Sequence, residues 1–71
     1  MTLGERMKYA REAAELSVRG LAELSGVGKS TIVDYESDLH EPKLFTMALL
    51  ADILEVSIDW LAGRTEEGGP K

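Results

Sequence analysis

Residues 18 to 37 read Val18-Arg19-Gly20-Leu21-Ala22-Glu23-Leu24-Ser25-Gly26-Val27-Gly28-Lys29-Ser30-Thr31-Ile32-Val33-Asp34-Tyr35-Glu36-Ser37, and this stretch decides the fold. Ser17 is placed to open a short helix carrying Leu21, Ala22 and Leu24, which Ser25-Gly26-Val27 interrupts with a turn signal. A second short helix begins near Gly28 or Lys29, sets Ile32 and Tyr35 three apart on one face, and ends before Ser37. Two short helices crossing steeply around a tight turn make particular steric demands. Leu21, Ile32 and Tyr35 are apolar, as packing onto the rest of the domain requires. Ala22 is small where the second helix crosses, and Gly26 stands where the turn calls for positive φ.

Working outward, Thr2 is an N-cap, and Leu3, Met7, Ala10 and Ala14 recur at helical spacing, so a first helix is expected from about residue 3 to about residue 14. Asp38 to Pro42 reads as a loop. Leu44, Met47, Leu50, Ala51 and Leu54 then fit a fourth helix. Ser57 caps a last short helix with Ile58 and Leu61 inward, stopped by Gly63. No strand pattern competes, so the expected fold is all-α: a compact bundle of about five short helices over residues 1–63. Residues 64–71, polar and rich in Gly and Pro, are expected as a flexible tail or the start of a linker.

Composition narrows the function. A chain of 71 residues with 44% apolar and 30% charged residues suits one small folded domain. Without Cys, and with a single His, it offers no thiol chemistry and no transition-metal ligand set. No nucleophile–base pair is visible, so neither an enzyme nor a cofactor is expected. No apolar run is long enough to span a bilayer and no signal peptide is evident, so a cytoplasmic protein without a membrane partner is expected. The formal net charge of -5, with its acidic excess growing toward the C-terminus, argues against non-specific nucleic-acid binding.

Several local patterns have plain readings. Gly26-Val27-Gly28-Lys29-Ser30-Thr31 looks like the end of a phosphate-binding loop, but the full pattern needs a glycine where Glu23 stands. His40 reads as a solvated loop residue, and Asp34, Glu36 and Asp38 as a solvated acidic edge. Trp60, Tyr35 and Phe45 read as core.

Taken together, Leu3-Gly4-Glu5-Arg6, Leu21 to Val27, Lys29-Ser30-Thr31-Ile32, Tyr35-Glu36, Pro42, Leu49-Leu50-Ala51 and Val56 to Gly63 resemble the phage-repressor and Cro-type (Xre-like) helix-turn-helix family. The resemblance covers about residues 2 to 63. It implies a lambda-repressor-like fold and a transcriptional regulator, a repressor of bacterial or phage origin, that binds a double-stranded DNA operator as a weak homodimer. It also implies a recognition helix, at about residues 28–36, lying in the major groove of a pseudo-palindromic site. The family's base-reading positions fall on Gly28, Lys29, Ser30, Val33 and Asp34, and backbone contacts would come from Arg11, Arg19 and Lys43. The sequence departs from the family where Val18 replaces a common Gln, Gly28 a common Ser or Thr, and Asp34 a frequent basic or amide residue. The alternative is a protein-interaction module, antitoxin- or antirepressor-like, whose regulatory protein partner meets Val18, Val33 and the acidic edge.

Overall fold

The computed structural model describes residues 1–71. They form five helices and no strand: α1 Leu3–Ala13, α2 Val18–Ser25, α3 Lys29–Glu36, α4 Leu44–Leu54 and α5 Ile58–Leu61. Local chemistry sets most of the boundaries. The Thr2 hydroxyl accepts from Glu5 N at 3.1 Å while the Glu5 carboxylate accepts from Thr2 N at 2.8 Å, a reciprocal cap on α1. Ser17 caps α2 through Gly20 N at 2.9 Å, and Gly26 ends it at φ 76°, its amide donating to Ala22 O. Ser57 caps α5 through Trp60 N at 2.9 Å.

Each helix supplies one side chain that is wholly removed from solvent: Met7, Leu21, Ile32, Leu50 and Leu61 in chain order. Burying each contributes roughly 1.5–3 kcal/mol, which binds five elements too short to persist alone into one core. Ala10, Ala51, Leu54, Val56 and Trp60 complete it, with Tyr35 half-buried against it.

The start of α1 crosses the end of α3 so closely that a Cβ on Gly4 would stand 2.5 Å from Tyr35 O and 2.6 Å from Glu36 O. The same crossing places Asp38, at φ 63°, against the α1 N-terminus, where its carboxylate accepts from Thr2 Oγ1 and from Gly4 N. A carboxylate there also meets the positive end of the helix dipole.

Two expected core residues lie outside. Phe45 is 82% exposed and Ile58 is 38% exposed. The buried stripe of α4 runs through Leu50, Ala51 and Leu54, and Phe45, five residues before Leu50, sits about 140° around the helix from it. Leu39 and Leu44 are exposed as well, so three large apolar side chains cluster within seven residues of chain. Residues 64–71, expected as a flexible tail, turn back onto the domain, with Ser57 N donating to Gly68 O at 2.9 Å. No helix is long and apolar enough to cross a membrane.

Candidate nucleic-acid interface

Helix α3 turns one side to the core and leaves the other open. Ile32 faces the core and Tyr35 packs beside it, while Lys29, Ser30 and Val33 are exposed and Asp34 is half-exposed. Lys29 and Val33 are four apart, as are Ser30 and Asp34, so the four side chains share one outward face. Gly28 precedes them with φ -63°, and a Cβ there would approach nothing closer than Thr31 Oγ1 at 3.8 Å. Its lack of a side chain is therefore not demanded by the fold. It leaves the start of α3 bare. The structure thus brings all five expected base-reading positions onto a single exposed surface.

Helix starts differ in a telling way. α1, α2 and α5 each have a side-chain cap, whereas α3 and α4 have none. Those two are also the helices opened by lysine, with Lys29 the first residue of α3 and Lys43 the N-cap of α4. Free amides and a cation at a helix N-terminus are unfavourable to the helix by a few tenths of a kcal/mol, and favourable to an anion placed there. Arg19, in the first turn of α2, is exposed and only loosely paired with Glu23 at 3.8 Å.

Arg11 does not join this set. Its Nε donates to Glu36 Oε2 at 2.7 Å, one terminal nitrogen to Glu36 Oε1 at 3.1 Å, and the other to Leu16 O at 2.8 Å. With side chains only 10% and 9% exposed, the pair is an internal tie between α1 and α3, and a guanidinium buried against a carboxylate in this way is withheld from a phosphate at the surface. The hydrogen bonds it donates to Glu36 raise the Arg11 pKa above its ordinary value, against the lowering by burial. No local signal marks this pair in the sequence, because its members are 25 residues apart.

The supposed acidic edge is likewise dispersed. Glu36 is taken by Arg11, Asp38 caps α1, and Asp34 lies 3.3 Å from His40 Nδ1. Val18 is partly buried, packed against the core.

The helix-turn-helix family profile matches residues 7–61. An uncharacterized HTH-type transcriptional regulator of Bacillus subtilis (strain 168), YobD, is 34% identical over 67 residues, covering 94% of this chain and 60% of that protein. The HTH-type transcriptional regulator ImmR of the same organism is 35% identical over 66 residues, covering 93% of this chain and 52% of its own length. The chain therefore spans little more than half of either relative. Among solved structures, SinR in complex with DNA superposes with a TM-score of 0.80 at 31% identity, over 84% of this chain and 97% of that one. The P22 c2 repressor in complex with a synthetic operator gives 0.86 at 25% identity, over 92% and 98%.

Proposed function

Because the chain belongs to the helix-turn-helix family, we propose that it is a transcriptional repressor that binds a pseudo-palindromic operator as a homodimer, with α3 in the major groove. The reading rests on one observation above all. The exposed face of α3 carries Lys29, Ser30, Val33 and Asp34, and the two uncapped, lysine-headed helix starts are ready to receive phosphates.

The roles follow from chemistry. Lys29 donates to guanine O6 or N7, Val33 meets a thymine methyl, Asp34 accepts from cytosine N4, and Ser30 serves either sense. Gly28 lets the backbone approach closely. Arg19 and Lys43 hold the phosphate backbone together with the amides that open α3 and α4. Arg11 acts indirectly, by fixing α3 against α1 through Glu36. The exposed cluster Leu39, Leu44 and Phe45 is the surface that a second copy covers, since apolar groups of that size are costly to leave in water.

Selection of binding sites from random duplexes at about 50 mM salt, where the phosphate contribution is strong, tests the proposal. Enrichment of a two-fold symmetric motif is the expected result. A pool that stays random with folded protein would replace this reading with that of a protein-interaction module.

A further inference from the structure

We propose that residues 64–71 are a strap built into the domain, clasped by Arg6 and closed over Trp60. Three sets of contacts carry this. The first is steric. Gly69 lies so close to the indole that a Cβ would stand 2.6 Å from Trp60 Nε1 and 2.7 Å from Cε2, and Gly68, at φ 88°, would with any side chain overlap Ser57 Oγ. In a linker, adjacent glycines are interchangeable with other small residues. Here two in succession are required by what they touch.

The second is polar. Ser57 N donates to Gly68 O at 2.9 Å, fixing the strap to the residue that caps α5. Arg6, buried in α1, donates through one terminal nitrogen to Trp60 O at 3.0 Å and to Thr65 O at 3.4 Å, and through the other to the Glu66 carboxylate at 2.8 Å. Its guanidinium carbon lies 4.9 Å from the Trp60 ring centroid. A buried guanidinium needs an anionic partner, and the strap provides the only carboxylate that Arg6 touches.

The third is the end of the strap. Pro70 and Lys71 line a shallow cavity of about 180 Å³ with Ala10, Ala13, Ala14 and Leu54, between the C-terminal ends of α1 and α4. Helix α5, at four residues, is too short to persist alone. The strap holds its N-cap, Ser57, through Gly68, and Arg6 of α1 holds the helix itself through Trp60 O. Any segment joined after Lys71 leaves at the C-terminal end of α4, about 16 Å along that helix from Lys43.

Trp60 is the only tryptophan and reports on the strap directly. In the unaltered protein, the Ser57 amide is expected to exchange with solvent at least about tenfold more slowly than an unstructured amide, because Gly68 O accepts from it. Gly69→Val is expected to raise quenching of Trp60 fluorescence by acrylamide several-fold, and to speed tryptic cleavage after Arg64 by about tenfold. A Ser57 amide exchanging at the free-peptide rate would overturn the proposal, and this readout does not depend on the variant folding. So would a folded Gly69→Val protein with unchanged quenching and cleavage. Both measurements are made without DNA, so the strap stands or falls independently of operator binding.

Discussion

The guanidinium of Arg11 and the carboxylate of Glu36 meet in a two-point pair, with Nε to Oε2 at 2.7 Å, that ties the end of α1 to the end of α3 across 25 residues of chain. Removing either partner strands the other charge in a nearly closed site, so Arg11→Ala or Glu36→Ala should each cost about 3 kcal/mol of stability. In urea unfolding, Arg11→Met combined with Glu36→Leu should recover most of that loss, since a buried pair is often replaceable by apolar groups of similar volume. Additive losses in the double variant would show that the two residues do not act as a pair. The Arg11 pKa is raised on folding, so its contribution is complete below the ordinary arginine range and is lost only as the pH rises through the still higher folded value. Deprotonation of Arg11 should therefore give no pH dependence near neutrality.

Gly4 is fixed by two backbone carbonyls that a methyl group would overlap. Backbone cannot yield as a flexible side chain can, so Gly4→Ala should cost about 2–3 kcal/mol, although alanine is the better helix former. Thermal unfolding measures this. A gain in stability would mean that α1 and α3 do not cross as closely as described.

Contacts with phosphate and with bases should separate by their salt dependence. Lys43→Ala and Arg19→Ala should each lower the slope of log K against log salt by about 0.9 and weaken binding to all sequences alike. Lys29→Ala should also relax preference at one base pair of the operator, at a cost of about 1–3 kcal/mol. Lys71, beside the far end of α4, should be neutral in the same titrations. Equal effects of Lys71→Ala and Lys43→Ala would place the DNA elsewhere.

Phe45 is 82% exposed on the first turn of α4. Phe45→Ser should therefore leave the stability of the monomer within about 0.5 kcal/mol of the parent. If Leu39, Leu44 and Phe45 form the surface between copies, the same change should weaken self-association in sedimentation and reduce cooperative filling of the two half-sites. Unchanged association would move the dimer contact off this patch.

Much of the architecture was legible along the chain. Thr2, Ser17, Ser57 and Gly26 marked helix ends because caps and left-handed turns act over three or four residues, and the stripe of Leu50, Ala51 and Leu54 marked the buried side of α4 for the same reason. Phe45 could have been placed outside by following the phase of that stripe, which its aromatic character obscured. The outward face of α3 was also legible, since Ile32 and Tyr35 fixed which side turns in.

The sequence by itself determined five helices, their order, the turn at Gly26 and the face α3 presents, because each depends on interactions within one or two turns of chain. Only the tertiary structure decided that Arg11 is spent on Glu36, that Gly4 must be glycine, that Asp38 caps a helix more than thirty residues away, and that Gly68 and Gly69 lie against Ser57 and Trp60. These depend on which helix ends meet. No periodicity encodes that, because the crossing is set by the joint packing of Met7, Leu21, Ile32, Leu50 and Leu61 into one core.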